Sequence, residues 1–210
     1  MSLPCPLCKS KHVQIFHHDR KRLFHHCIVC HLVFVDPTNL PCKEQELNEY
    51  KLHQNSSDDA GYLTFLDRAR QPVIEFVGKG KRGLDFGSGP EPVLANWLEN
   101  DGFVMQAFDP FFAPSTIVGE YDFIVCTEAI EHFHQPSIEW QTWMQHLCSD
   151  GYLIIMTKRW LSKARFNTWH YKNDPTHVVF FHEKTFRFLA QEFNFSVLFV
   201  ADDVVVMQRH

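Results

Sequence analysis

A glycine-rich turn is the feature of this 210-residue chain that most directly indicates chemistry. The residues Gly83-Leu84-Asp85-Phe86-Gly87-Ser88-Gly89 close an apolar run, and Asp109 follows twenty residues after Gly89. Glycines at such a turn let the backbone approach a nucleotide-like ligand, and an acid about 20 residues further on accepts hydrogen bonds from ribose hydroxyls. The spacing therefore predicts a site for a ribose-containing ligand at the end of a buried strand.

The same turn distinguishes two classes of cofactor. A dinucleotide site needs a third glycine where this chain has Pro92, and it does not ask for an acid such as Asp85 inside the strand. Instead, Gly83 to Gly89 resembles the first motif of class I S-adenosylmethionine (SAM) methyltransferases. Tyr121 to Phe133 resembles the fourth strand of that family and the turn after it, and the resemblance extends from about Tyr50 to the C-terminus.

The resemblance implies a SAM-dependent methyltransferase in which an acceptor oxygen, nitrogen or carbon attacks the methyl group of the cofactor. It implies that Gly87 and Gly89 make room for the cofactor, that Asp109 accepts from its ribose, and that Asp85 holds the turn. The expected cofactor-binding residues are Asp85, Gly87, Gly89, Asp109, Thr127 and Glu128.

A second group of chemically capable residues follows the fourth strand. Glu128, Glu131 and His132 stand at i, i+3 and i+4, so a helical turn would put them on one face, and His177 lies in a later loop. This pattern resembles the metal-binding residues of RNA 3′-terminal 2′-O-methyltransferases, and its ExxEH part is similar to ubiquinone-biosynthesis O-methyltransferases. The resemblance implies a divalent metal held by all four residues and binding the acceptor hydroxyl.

Two other interpretations of this group stay open. His132, His177 and Glu131 are also candidate catalytic residues without a metal, because imidazole titrates near neutrality and can move a proton. Alternatively, the glutamates contact the cofactor or cap a helix, and the histidines are structural. The sequence does not choose among the three interpretations.

Four cysteines predict a separate metal centre. Cys5, Cys8, Cys27 and Cys30 form the pattern C-x2-C-x18-C-x2-C, which is typical of a zinc ribbon with four thiolates around a structural Zn²⁺. A segment this short has too small a core to fold alone, so the metal would supply much of its folding energy. The basic residues of the segment are expected on a solvated face; they are Lys9, Lys11, Arg20, Lys21 and Arg22.

These residues must be positioned by an α/β fold with a Rossmann-like methyltransferase sheet, helices on both faces and the small N-terminal ribbon. The predicted organisation is a ribbon segment over 1–36, a linker with cap helices over 37–80 and the methyltransferase domain over 81–210. Strands are expected over 82–86, 104–108, 122–126 and 152–157, with a closing hairpin at 196–208. Only twelve residues separate Asp109 from Asp122, which predicts a loop there with at most a short edge strand over 116–118.

Further site residues are expected from the resemblance and from composition. The methionine end of SAM is expected near one of four cap residues, which are Tyr50, His53, Tyr62 and Arg68. Phe111 or Phe112 would wall the adenine, or belong to the core. The aromatic residues after the fifth strand are expected either to line the acceptor pocket or to form plain core; they are Trp160, Trp169, Tyr171, Phe180 and Phe181.

Composition limits the partners. The formal net charge of −5 argues against a general polyanion binder, and the longest apolar runs are strand-sized, so no membrane partner is expected. Paired cysteines indicate metal rather than disulfides and a cytoplasmic location. A small-molecule acceptor is preferred, with a protein partner of the ribbon as a further expectation. The alternatives are a catalytically silent binding protein and an RNA-modifying methyltransferase, although the acidic charge disfavours nucleic acid.

Overall fold

The computed structural model describes residues 3–52 and 58–210. The strands are β1 Val13–His18, β2 Leu23–Cys27, β3 Val33–Val35, β4 Arg82–Phe86, β5 Val104–Phe108, β6 Tyr121–Thr127, β7 Leu147–Met156, β8 Val179–Phe180, β9 Phe195–Phe199 and β10 Val204–Arg209. The α-helices are α1 Lys43–Tyr50, α2 Ala60–Phe76, α3 Val93–Asn100, α4 Pro136–His146, α5 Lys163–Asn167 and α6 Glu183–Phe193. Short 3₁₀ helices cover Pro37–Asn39, Ile130–His132 and His170–Asn173.

The main sheet has six strands in the order β5-β4-β6-β7-β10-β9. Strands β5, β4, β6 and β7 are parallel, and β10 is antiparallel to both β7 and β9. The predicted α/β, Rossmann-like class with a closing antiparallel hairpin is therefore confirmed. Strands β5 and β6 lie on opposite sides of β4, so the order in which strands are added to the sheet changes side at β4. In such sheets a ligand is expected at the carboxyl end of the strand where this change occurs.

Alternating side chains explain why this sheet is covered on both faces. In β7, Leu153 and Ile155 contribute to one apolar cluster, whereas Ile154 and Met156 contribute to the other. Helices α2 and α3 belong to the second cluster, and α4 and α6 belong to the first. A strand buried on both faces is apolar at nearly every position, which is why a central strand such as β6 can be predicted from the sequence.

The connection from β5 to β6 lacks the usual helix and third strand. Residues 110–120, all of which the structure describes, form no strand or helix, and the local contact is an isolated bridge between Asp109 and Ala113. The optional edge strand over 116–118 does not form. Pro110 and Pro114 explain this, since proline lacks the N–H that a helix or ladder needs.

The N-terminal ribbon shares a second sheet with strand β8 from the later part of the chain. Its order is β1-β2-β3-β8, and the pairs Val33 with Phe180 and Phe34 with Val179 join the two parts. Strand β2 was not predicted, although the second cysteine pair begins at its end. The apolar cluster of the first face continues from this sheet into the main sheet. The boundary at residue 36 stays a prediction. Among the described residues, none of the helices combines the length and apolarity needed to span a bilayer.

Candidate active site

The glycine turn after β4 borders open space. Gly87 and Gly89 both have positive φ, 84° and 69°, which glycine adopts without steric cost. A Cβ added to Gly87 would lie 2.4 Å from the Cβ of Ala129, so glycine is needed there for close approach to the turn after β6. A Cβ on Gly89 would meet no described atom within 4 Å. Gly89 therefore borders a cradle that a ligand can enter.

Asp109 connects this turn to the loop after β5. Its Oδ2 accepts from the backbone N–H of Gly89 at 3.0 Å, and its Oδ1 accepts from those of Phe111 and Phe112 at 2.8 and 3.0 Å. A carboxylate has about four acceptor positions, so it can still accept from a ribose hydroxyl. Asp109 thus holds both loops that border the cradle.

Asp85 is a buried acid with an unused acceptor. Its side chain is 2 % exposed, and within residues 3–52 and 58–210 its Oδ1 has no hydrogen-bond partner. Burial raises the pKa of Asp85 to about 7. Buried polar atoms are normally hydrogen-bonded, so an orphan acceptor two residues before Gly87 indicates that a ligand supplies the missing donor.

The turn after β6 differs from the single helical face considered above. Glu128 has φ 46° and lies outside the 3₁₀ turn Ile130–His132, so it does not share a face with Glu131 and His132. Its backbone N–H donates to the carbonyl of Met156 at 2.8 Å, beside Thr127 at the end of β6. Its Oε1 is buried and unpartnered among the described residues, and burial together with Glu131 raises the pKa of Glu128 to about 8.

Glu131, His132 and His177 converge. One ligand atom from each lies within 4.8 Å of the others. Glu131 is fully buried, and its two oxygens accept from the hydroxyls of Tyr171 and Thr157, the latter at 2.9 Å. Glu128 is absent from this set and instead faces the Tyr171 hydroxyl at 3.3 Å.

Hydrogen bonds place a proton on Nδ1 of both histidines. The Nδ1 of His132 lies 3.0 Å from the carbonyl oxygen of Thr176, and that of His177 lies 2.7 Å from the carbonyl oxygen of Tyr171. A carbonyl only accepts, so each Nδ1 carries a proton. Burial lowers the pKa of His177, so this ring is neutral near pH 7 and its Nε2 carries a lone pair. Such an Nε2 atom can accept a proton or bind a cation.

Comparison with known proteins decides the family. A family model described as a methyltransferase domain matches residues 60–200, which is more than half of the chain. The chain belongs to this family. It is a SAM-dependent methyltransferase. The comparison with curated proteins finds no match.

Solved structures agree on the fold. Magnesium protoporphyrin IX methyltransferase from Synechocystis PCC 6803 with bound SAH has a TM-score of 0.50 and 12% identity, over 80% of this chain and 95% of its own. A SAM-dependent methyltransferase from Archaeoglobus fulgidus gives 0.50 and 17%, over 64% and 69%. The mitomycin 7-O-methyltransferase MmcR gives 0.51 and 14%, over 70% and 54%. At these identities the likeness concerns the fold alone.

The ribbon of this methyltransferase contributes a residue to the site that sequence reasoning missed. Arg22 was expected on a solvated face, which is wrong, because it is buried and its Nη1 donates to the carbonyls of Asp174, Pro175 and His177 at 3.0, 3.4 and 3.1 Å. The N–H of Val178 then donates to the carbonyl of Glu131 at 2.9 Å. Arg22 thus holds the loop that carries His177, and no local sequence signal indicates this.

The cap helices reach the site at two points. Tyr50, at the end of α1, packs edge-on against His132 and Phe111, with ring centroids 5.3 Å apart in both cases. Burial and the neighbouring Asp85 raise the pKa of Tyr62 to about 12. Arg68 forms an ion pair with Asp203. His53 lies outside the described residues.

The cysteines of the methyltransferase form two matching knuckles. Each ends in a left-handed residue, Lys9 or His31, both with φ 60°, whose N–H donates back to the carbonyl of Cys5 or Cys27. The Sγ atoms of Cys5 and Cys30 are 3.5 Å apart, as are those of Cys8 and Cys27. Tetrahedral Zn–S bonds of about 2.3 Å give S–S separations of about 3.8 Å. The four sulfurs therefore fit a zinc ion after a small expansion.

Of the aromatic residues after β7 considered above, Trp169 is half-buried and the others are buried. Phe180 and Phe181 are core residues, at 1% and 0% exposure. Tyr171 belongs to the site through Glu131, and Trp169 packs against Tyr171 with centroids 5.0 Å apart. Trp160 lies against the ribbon residue Phe16 at 5.2 Å. Thr157, which donates to Glu131, was also missed, although its place at the end of a parallel strand is a usable signal.

Proposed function

We propose that this methyltransferase transfers the methyl group of SAM to a hydroxyl of a small-molecule acceptor. The observation that carries the proposal is the cradle at Gly89, bordered by the buried, unpartnered Oδ1 of Asp85 and by Asp109. In this assignment Gly87 and Gly89 admit the cofactor, Asp85 accepts from its ammonium group, and Asp109 accepts from its ribose. Thr127 and Glu128 border the same space from the end of β6.

SAM supplies an electrophilic methyl group on a sulfonium, so the protein mainly positions the acceptor and manages one proton. We assign the proton of the acceptor hydroxyl to Nε2 of His177 or of His132, because the Nδ1 of each ring already donates to a carbonyl. Glu131 stabilises the resulting imidazolium, and the hydroxyls of Tyr171 and Thr157 hold the carboxylate of Glu131 in place. Burial of His177 lowers its pKa and keeps it ready to accept.

A divalent cation at Glu131, His132 and His177 is the second candidate for activating the acceptor. Three ligand atoms within 4.8 Å favour it, as do the Nδ1-to-carbonyl bonds, which are the usual outer contacts of metal-bound histidine. One carboxylate and two imidazoles suit Zn, Mn or Fe better than Mg. Glu131, His132 and His177 would then hold the cation, which would supply Lewis-acid activation of the acceptor hydroxyl in place of a histidine base.

We assign a structural zinc to Cys5, Cys8, Cys27 and Cys30 on the basis of the matched knuckles. Metal analysis separates this centre from the second candidate. One zinc equivalent, lost in Cys27→Ser but retained in His177→Ala, supports the ribbon site alone. A second equivalent that His177→Ala removes supports the cation at the histidines. A reducing, cytoplasmic location follows from this thiolate centre and remains a proposal.

Calorimetric titration of SAM into zinc-loaded protein tests the cofactor site. Wild type is expected to bind, and Asp109→Ala is expected to bind at least about tenfold more weakly, since it loses an acceptor for the ribose and the bond to Gly89. Glu183→Gln, at an exposed position on α6, is the matched control. Absence of SAM binding to wild type would favour the silent binding protein, whose partner would then be sought at the ribbon.

The small size of the acceptor is supported by two of the structural neighbours, whose names specify magnesium protoporphyrin IX and mitomycin as substrates. The acidic net charge of −5 also favours a small molecule over RNA. An RNA-modifying activity is the alternative and would be recognised by transfer of the SAM methyl group to an RNA 3′ end.

A further inference from the structure

The segment between β7 and β8 has a charge unlike the rest of the chain. No aspartate or glutamate occurs from residue 151 to residue 173, although the chain as a whole has a net charge of −5. Five cations fall within this stretch, namely Lys158, Arg159, Lys163, Arg165 and Lys172. Aromatic residues alternate with them. A local positive potential of this kind attracts an anionic ligand.

The same segment forms a cleft of about 280 Å³. Two arginines and several aromatic rings line it; the lining residues are Arg159, Trp160, Leu161, Arg165, Phe166, Thr168, Trp169 and His170. The ribbon supports its wall, because Phe16 of β1 packs edge-on against Trp160 and Phe166, each at 5.2 Å between centroids. The volume is near the lower end of small-molecule pockets and corresponds to one or two rings.

Two buried donors in the lining lack acceptors. Within the described part of the chain, neither Nη1 of Arg159 nor Nε1 of Trp160 has a hydrogen-bond partner. The other nitrogen of the same guanidinium, Nη2, donates to the carbonyl of Ala201 at 2.8 Å, and the group packs over Phe199 at 4.8 Å, so it is held in place. No described carboxylate lies within 4.0 Å of Arg159 or Arg165, whereas other arginines of the protein have such partners. Unpaired hydrogen-bond donors of this kind indicate a ligand that carries hydrogen-bond acceptors.

The cleft adjoins the proposed site of methyl transfer. Trp169 lines the cleft and packs on Tyr171 at 5.0 Å, and the hydroxyl of Tyr171 donates to Glu131. We infer that this cleft is a specificity subsite for the anionic end of the acceptor, and that the acceptor is a planar one- or two-ring carboxylic acid. The arginines bind the carboxylate, and the aromatic lining contacts the ring. The link to the acceptor rests on the proposed function, whereas anion binding in the cleft does not.

Titration with 1-naphthoate, with uncharged 1-naphthamide as the matched ligand, tests the inference. Wild type is expected to bind 1-naphthoate at least about tenfold more tightly than 1-naphthamide, which is the worth of one hydrogen bond to a charged group. Arg165→Gln, at an exposed position and so without risk to folding, is expected to remove most of this preference. The double variant with Arg159→Gln is expected to abolish it, and Arg20→Gln, exposed and outside the cleft lining, is the charge-matched control.

Equal affinity for the two ligands, or a preference that survives both arginine substitutions, would overturn the inference. Tighter binding of a short single-stranded oligonucleotide, dependent on the same arginines, would replace it with a nucleic-acid surface. SAM titration on the same samples separates the two proposals. If wild type binds SAM but not 1-naphthoate, the cleft inference alone is rejected. If wild type binds 1-naphthoate but not SAM, the proposed methyl transfer alone is rejected.

Discussion

Replacement of Arg22 by glutamine is expected to disturb the His177 loop without touching the cofactor cradle. The guanidinium is 8% exposed and donates to two carbonyls at 3.0 and 3.1 Å and to a third at 3.4 Å. Hydrogen bonds from charged groups contribute about 1.5–3 kcal/mol each, and the two short ones dominate. Release of a buried charge to water offsets part of this loss. A net destabilisation of about 2–3 kcal/mol follows.

For a chain of this size, 1 kcal/mol corresponds to a change in Tm of about 2–4 °C, so a loss of about 2–3 kcal/mol in Arg22→Gln should lower the Tm by about 4–12 °C. Arg22→Lys keeps the charge, but the lysine side chain is one atom shorter and does not reach the position of the Nη1 that contacts all three carbonyls, so an intermediate loss is expected. Arg20→Gln removes a cation from the same turn at an exposed position and should change the Tm by less than about 1 °C. The comparison separates the carbonyl contacts from the charge.

Amide hydrogen exchange supplies a readout that overall stability does not. Protection of the N–H of Val178, which bonds to Glu131, should fall further in Arg22→Gln than protection in β4, while the Kd for SAM stays within about twofold of wild type. With an acceptor in hand, kcat is expected to fall by about 100-fold, the usual effect of a misplacement near 1 Å. Unchanged exchange at residues 174–178 together with an unchanged Tm would refute the positioning role of Arg22.

Three further changes have defined outcomes. Burial raises the pKa of Asp85 to about 7 from about 3.9 in the unfolded chain, so the SAM-free protein should lose up to about 4 kcal/mol of unfolding free energy as the pH rises from 4 to 7, and little more above pH 7. Urea unfolding at pH 5 and pH 8 should therefore show a smaller difference in unfolding free energy for Asp85→Asn than for wild type. An equal difference in the two proteins would contradict the assignment. Gly89→Ala should cost about 1 kcal/mol through its positive φ, yet weaken SAM binding at least about tenfold because its Cβ enters the cradle, a result that calorimetry checks. Cys27→Ser should lose one zinc equivalent by elemental analysis and unfold at lower temperature, and retention of full zinc would rule out the ribbon centre.

The elements that the sequence predicts best are those whose environment is local. Strands β4 and β5 have their expected bounds, 82–86 and 104–108, because short runs of strand-forming residues that end at turn residues are a local signal. Strand β2 was missed because His25 and His26 interrupt its apolar pattern. The structure accommodates them through distant partners: His25 bonds to Asp36 at 2.7 Å, and His26 lies edge-on to Trp160 at 5.5 Å.

The residues of the site also differ in whether nearby sequence is enough to predict them. The Asp85-to-Gly89 turn and Asp109 are identifiable because backbone conformation and a fixed spacing constrain the residue types. Their cofactor contacts stay predictions, but the bond between Gly89 and Asp109 shows that the spacing brings the two residues together. Arg22 is different, because it meets the carbonyl of Asp174 from 152 positions away. Nothing local requires an arginine there, and only the paired sheets bring the two segments into contact.

The ribbon is structurally continuous with the loop that carries His177. Strand β3 pairs with β8, and the N–H of Val35 donates to the carbonyl of Val178 at 2.8 Å, while the N–H of Val178 donates to Glu131. Arg22 reaches the same loop independently, from the turn before β2. A metal that stabilises the fold at the cysteines would therefore also stabilise the loop, through the strand pairing and through Arg22. A ribbon attached only as a recruitment module would need neither, because docking a partner does not require contact with the candidate proton acceptor. The arrangement favours a ribbon whose folding sets the geometry of the histidines.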